Sequence, residues 1–242
     1  MTGDLGVLPV RTGGAAENMA VDFLMLQRWP DSSLPGPRFR HYEWRAPAFT
    51  FGYSQKWEAV QAALPTADGA RRDICRRATG GGLVDHREDW TYTVVIPRGH
   101  KLEELRASES YRLIHEALAG ALRAQGVPAA LADAPTVEAG APAGPFGVCF
   151  QRAERYDVVG PSGKIAGAAQ KRSKLGLLFQ GSVWKPAAGA KVDWERLSED
   201  FTQILAGELG GGVKPIPFPE FREGELEALT DQYSDPEWNE QR

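Results

Sequence analysis

The stretch from Arg76 to Pro97, RRATGGGLVDHREDWTYTVVIP, carries the residue types and spacing in this chain that packing alone explains least well. Two arginines, Arg76 and Arg77, stand just ahead of three consecutive glycines, Gly80, Gly81 and Gly82, and His86 follows four residues later. Glycine loses more backbone freedom on folding than any other residue. A triplet between ordered segments is therefore kept where the backbone takes positive φ angles or a ligand must lie close to it. Cations on one flank suit a long, thin guest with a polar or anionic head, with Arg76 meeting that head and Arg77 held in a structural ion pair. His86 has two readings, a proton shuttle or a hydrogen bond that holds the loop. The bland alternative for the whole stretch is a glycine-rich hairpin tip with solvated arginines.

The rest of the chain limits what such a site can serve. Its 242 residues suit one large domain or two small ones with a substantial core. The net charge of −4 and pI near 5.7 argue against non-specific nucleic-acid binding. No apolar run approaches the roughly 20 residues that span a bilayer, and the start, MTGDLGVLPVRTGG, lacks signal-peptide regions. A cytoplasmic protein is expected. Cys75 and Cys149 sit 74 positions apart with no CxxC pair or Cys/His cluster, which argues against a disulfide framework or a zinc site. No metal ligands are assigned.

Periodicity supplies the elements that would position the loop. Residues 15–29 carry Met19, Phe23 and Leu26 at helical spacing, and Pro30 ends the pattern. Aromatic-rich strands are expected at 38–44 and 48–53 around Pro47, with a short helix over 56–64. ICRR then reads as a strand entering the glycine loop, with TYTVVIP as its partner. A helix from the Ser108 cap to Gln125 has Ile114, Leu118 and Leu122 as its stripe. Residues 129–148 read as a loop. ERYDVVG, KIAGAAQ and LGLLFQGSVW read as strands, the first two joined by a turn at PSGK. Asp193 caps a helix striped by Trp194, Leu197, Phe201 and Ile204. GGG at 210–212 and three prolines read as a linker to a last helix over about 219–232. Locally paired strands with scattered helices indicate an α+β fold. The expected division is a catalytic domain over 1–212, with a linker and helix over 213–242 packed on it.

The motifs NMAVDFLML, RHYEWRAPAFTFGYSQ, RRATGGGLVDH with TYTVVIP, CF with YDVV, GKIAGAAQKR with LFQGS, and YSDPEWN occur in that order and cover most of the chain. In this the chain resembles the biotin/lipoate protein ligase family, on its lipoate and octanoate side. The resemblance implies a mixed, mainly antiparallel β-sheet with surrounding helices, as in class II biotin/lipoyl synthetase catalytic domains. It also implies an acyl tunnel beside the glycine loop. Cys149 precedes Lys164 by fifteen residues in a CF…Y-acidic context. That order is similar to an octanoyltransferase class whose cysteine comes before the lysine motif. The triplet Gly80, Gly81, Gly82 departs from that class, which usually has an arginine after two glycines, and is ligase-like.

The resemblance implies Cys149 as nucleophile and Lys164 as its cationic partner, with Ala166, Gly167 and Ala168 leaving room for the ligand. A thiol titrates near pH 8.5, so an adjacent ammonium would raise its reactive fraction. Gln170 is a weaker pocket candidate, and Cys75 reads as core. The expected reaction is transfer of octanoyl from acyl carrier protein to a lysine of a lipoyl domain or glycine cleavage H protein, by a monomer that needs no cofactor. The alternatives are a lipoate–protein ligase using ATP and Mg, a lipoyl amidotransferase, and a non-catalytic acyl or lipoate binder.

Overall fold

The computed structural model describes residues 3–28, 36–65, 72–137 and 152–241. In chain order these form β1 (Leu5–Val7), β2 (Arg11–Gly13), α1 (Ala15–Gln27), β3 (Arg38–Trp44), β4 (Ala48–Phe51), α2 (Trp57–Ala63), β5 (Asp73–Arg76), β6 (Val84–Asp85) and β7 (Asp89–Pro97). Next come α3 (Lys101–Glu104), α4 (Ala107–Ala124), β8 (Ala130–Leu131), β9 (Thr136–Val137), β10 (Arg152–Ala153), β11 (Val158–Gly160), β12 (Gly163–Ser173) and β13 (Gly176–Trp184). The chain ends with α5 (Lys185–Ala188), α6 (Trp194–Leu209), β14 (Val213–Pro215), α7 (Glu225–Ser234) and α8 (Pro236–Glu240).

The large sheet runs β14-β1-β3-β7-β13-β12-β11-β8, with β2 beside β3. Its long central pairs are antiparallel, while β1 and its neighbours pair parallel. This is the mixed, mainly antiparallel α+β sheet the sequence implies. Every residue of β7 is buried, as a central strand covered on both faces must be. Alternation then divides two packing clusters. Val94 and Ile96 join Phe179, Leu118 and Phe201 under α4 and α6. Val95 and Leu178 pack on the other side with Val21, Met25 and Leu26 of α1. Ten of the thirteen α1 residues are buried, because that helix lies between the sheet and α7.

Several local expectations change. The strand carrying ICRR does not pair with TYTVVIP. β5 pairs parallel with β4 in a separate small sheet, β5-β4-β6, while β7 pairs with β3 and β13. The glycine loop therefore lies in the connection between β5 and β6, the two strands that flank β4 in the small sheet, rather than at a hairpin tip. The cap of α4 is Arg106 and not Ser108, because the Glu109 carboxylate reaches back to the Arg106 N–H at 3.0 Å. The 210–219 segment, read as linker, includes β14, whose residues add to the sheet beside β1. The last helix is two short ones, α7 and α8. Asp193 caps α6 as expected, accepting from the Arg196 N–H at 3.1 Å. Most of the 129–148 segment lies outside the described residues, and the part within them includes β8 and β9. Among the described residues no helix is long and apolar enough to cross a membrane.

Candidate active site

A pocket enclosing about 460 Å³, part of it open to solvent, lies where α1, the small sheet, the glycine loop, β12 and β13 meet. Its β12–β13 wall is made of small residues, Gly167, Ala168, Ala169 and Gly181. Gly181 has no freedom to be larger: a Cβ there would sit 2.1 Å from Cζ of Tyr92 on the neighbouring strand. Gly167 and Ala168, expected to leave room for a ligand, both line this pocket. Ala166 does not; it is fully buried in the cluster under α4.

The glycine loop is shaped by Arg77. Its guanidinium donates to Gly80 O at 2.8 Å, to Gly82 O at 2.9 Å and to Thr50 Oγ1 at 2.8 Å. The planar fork reaches all three at once, which a lysine could not do. Gly81 takes φ +90° and lines the pocket. Its carbonyl passes so close to Gly52 that a Cβ on Gly52 would lie 2.0 Å from it. Gly80 has open space around it. Arg76, placed by sequence at the ligand head, is instead fully buried behind the loop. Its guanidinium donates to the carbonyls of Tyr53, Gln55, Trp238 and Asn239, so it ties β5 to α8. Arg77 lines the pocket; Arg76 belongs to the scaffold under it.

His86 lies on the same wall, buried, with Nδ1 2.6 Å from Asp89 Oδ2 and Nε2 2.7 Å from Thr50 Oγ1. Trp44 stacks on its ring at 4.1 Å. Asp89 also accepts from the hydroxyls of Thr91 and Ser182. Burial by itself would raise this carboxyl, but the neighbouring His86 and the hydrogen bonds from His86, Ser182 and Thr91 outweigh it and leave Asp89 below its usual range. The result is one chain of polar groups, Arg77–Thr50–His86–Asp89. Gln180, which also lines the pocket, accepts from Thr79 Oγ1 at 2.7 Å and donates to Asp22 Oδ2 at 2.8 Å, which couples the loop to α1. Burial raises the Asp22 carboxyl against the lowering pull of Arg40 and of hydrogen bonds from Gln180, Thr93 and Tyr42. Gln170, by contrast, bonds to Ser110 Oγ at 2.9 Å on α4.

Lys164 is buried, and its Nζ lies 2.7 Å from Asp157 Oδ2. It also donates to the Arg152 carbonyl at 3.3 Å. The tip rests on the pocket strand, since a Cβ on Gly167 would come within 2.7 Å of both Cε and Nζ. Cys149, the expected nucleophile, lies outside the described residues. Cys75 is fully buried, its thiol raised by burial and by Asp73, as a core cysteine should be. Among the described residues no group of three or more His, Cys, Asp or Glu side chains is gathered to hold a metal ion. Thr50, Asp89, Gln180 and Asp157 escaped the sequence reading. The signal available for Gln180 was a lone polar residue inside an apolar strand, GLLFQGSVW.

A glycine-walled pocket between a large mixed sheet and a small one, with a buried lysine beside it, defines a catalytic domain of the lipoate-ligase fold class. Residues 14–193 match the family model of the lipoyl protein ligase A/B catalytic domain, and the chain belongs to that family. The octanoyltransferase LipM of Bacillus cereus is 34% identical over 171 residues, which cover 69% of this chain and 60% of that relative. The chain thus matches about 60% of the length of its Bacillus relatives. The octanoyltransferase LipM of Kyrpidia tusciae is 28% identical over 262 aligned residues, covering 94% of this chain and 95% of the relative. Among solved structures, a lipoate–protein ligase A bound with ATP shares the fold at TM-score 0.70 and 20% identity, covering 99% of both chains. The bi-partite lipoate protein ligase of Thermoplasma acidophilum, described with its E2 lipoyl domain, does so at TM-score 0.71 and 19% identity, covering 98% of this chain and 96% of that one.

Proposed function

We propose that the protein is an octanoyltransferase that moves octanoyl from the thioester of acyl carrier protein to a lysine of a lipoyl domain or glycine cleavage H protein, through an acyl-Cys149 intermediate. The observation that carries this reading is the Lys164 ammonium folded over Gly167, at the wall of a pocket built from glycine and alanine. Lys164 also bonds the carbonyl of Arg152, three residues along the chain from Cys149. Relatives named octanoyltransferase support the same reaction class.

The chemistry follows from these groups. A thiolate at Cys149 attacks the donor thioester carbonyl; the C–S bond to the carrier breaks, and the carrier thiolate leaves and takes up a proton. Each methylene of the acyl chain buried against the small-residue wall contributes about 0.8 kcal/mol. Lys164 supplies positive charge for the thiolate and for the oxyanion that forms on the carbonyl. The acceptor lysine, as the free amine, then attacks the acyl-cysteine. An amide forms, the thiol is released, and the amine gives up its proton to His86, whose ring Asp89 orients.

Incubation with octanoyl carrier protein and no ATP is expected to add one octanoyl group to Cys149, read by intact mass and peptide mapping. Full-rate transfer by Cys149→Ala would falsify the covalent route. Strict dependence on ATP and Mg with free lipoate would instead favour the ligase reading that the Gly80–Gly82 triplet suggests.

A further inference from the structure

Lys164 reaches its position through a break in strand pairing. Val158 lies opposite Ala166 but Val159 lies opposite Lys164, so Ile165 is an extra residue on β12. Bulges of this kind re-aim side chains beside functional sites. Here the lysine tip lies over Gly167 and meets a carboxylate held from both sides. The Glu154 N–H donates to Asp157 Oδ2 at 2.7 Å, and the Tyr111 hydroxyl donates to Oδ1. That hydroxyl in turn accepts the N–H of Ala168, a pocket residue, at 3.0 Å. The residue before Asp157 is kept in a costly conformation. Tyr156 has φ +71°, the one positive φ outside glycine among the described residues. Its N–H bonds Ala132 O at 2.8 Å, and its carbonyl meets His115 Nδ1 at 2.7 Å. Left-handed backbone is disfavoured at such a residue, and the contacts on both sides of the turn offset that cost.

We propose that Asp157 is a positioning residue that fixes the Lys164 ammonium over Gly167 and keeps it protonated in a site where burial would otherwise discharge it, while Tyr111 tethers the carboxylate to the pocket strand at Ala168. The proposal rests on the role given above to Lys164. Lys164 is 5% exposed and Asp157 1%, and a lysine so buried without a counter-charge loses its proton readily. Among the described residues, the titratable groups that face the pair are Tyr111 and His115 on α4 and Tyr92 on β7, and the Arg152 carbonyl of β10 accepts from Lys164. Burial holds His115 neutral, down at about 4, so it adds no competing positive charge near pH 7. Burial likewise raises Tyr111 and Tyr92, so both stay protonated and uncharged, and Tyr111 donates to Asp157.

The test follows the Lys164 Nζ and Cε resonances with pH in the full-length protein, assigned by comparison with Lys164→Arg. In Asp157→Asn the titration midpoint is expected to fall by about one to two pH units, and the alkaline limb of acyl-Cys149 formation should move with it. Asp157→Glu, which keeps the charge but lengthens the arm, should hold the midpoint near the wild-type value and slow acyl-enzyme formation about tenfold. A folded Asp157→Asn protein with an unmoved midpoint overturns the proposal. Should that variant not fold, wild-type acylation by Asp157→Glu overturns it equally. A midpoint that moves in a protein forming no acyl-enzyme even as wild type sinks the octanoyltransferase reading and leaves the positioning role standing.

Discussion

Arg76 and Asn239, 163 residues apart, hold each other through backbone and side chain at once. The Arg76 N–H donates to Asn239 Oδ1 at 2.7 Å, and the Arg76 guanidinium donates to Asn239 O at 2.6 Å. The C-terminal helix is thereby fastened to the strand that leads into the glycine loop, and Trp238 Nε1 adds a bond to Arg76 O at 2.9 Å.

Breaking this clasp should loosen the loop from behind. Asn239→Ala leaves the buried Arg76 N–H without its acceptor and removes the bond from Asn239 Nδ2 to Tyr233 O. A loss of about 1–3 kcal/mol is expected in urea unfolding. Arg76→Ala should cost more than Asn239→Ala, because four carbonyls lose a charged donor together. Equal losses for the two variants would show that the guanidinium contributes nothing beyond the asparagine contact.

Arg77 tests the shape of the loop instead. Arg77→Lys keeps the charge but cannot span Gly80 O, Gly82 O and Thr50 Oγ1. Steady-state kinetics should show the KM for the octanoyl donor rising roughly tenfold or more, with global stability changed less. An unchanged KM would mean that the loop keeps its form without the fork.

Adjacent glycines should respond differently to the same substitution. Gly81→Ala places a Cβ at φ +90°, 3.1 Å from Arg77 Nη2, and should lose about 1–2 kcal/mol along with donor binding. Gly80→Ala meets open space and should stay within about 0.5 kcal/mol of wild type. Paired urea melts distinguish the two, and matching losses would contradict the backbone argument.

His115 predicts a pH dependence of stability. Burial holds its imidazole down at about 4 against an ordinary value of 6.5, with Asp157 and the Tyr156 carbonyl opposing the shift. Between those values the unfolded chain binds a proton that the folded chain refuses. Stability therefore rises with pH across this window and is lost as pH falls from 6.5 toward 4, by roughly 3 kcal/mol for this group. Asp22, raised by burial, contributes the opposite slope above its ordinary value of 3.8. The difference between wild type and His115→Gln isolates the histidine. Urea melts at pH 7 and pH 4.5 should show the wild type losing more stability than the variant, and parallel losses would refute the assignment.

Much of the fold was legible along the chain because it depends on local periodicity and on turn chemistry. The stripe of Ile114, Leu118 and Leu122, the Asp193 cap and the turn before Gly163 all came from neighbours within a few residues, and all three stand in the structure. Gly81, Gly167 and Ala168 also drew notice along the chain, because missing side chains mark a close approach, and in the structure all three line one pocket. What the chain order could not settle was partnership across long separations. Arg76 and Arg77 are neighbours of identical type, yet one points to the last helix and the other to the pocket, since successive strand residues face opposite ways and only the packed structure says what each face meets. Asp157 became the partner of Lys164 through a one-residue bulge, which changes which side chains share a face and leaves no mark in the hydrophobic pattern. The sequence determined which residues were able to do the chemistry; the tertiary contacts determined which of them stand together, because a pairing energy exists only between groups that the fold has already brought within reach.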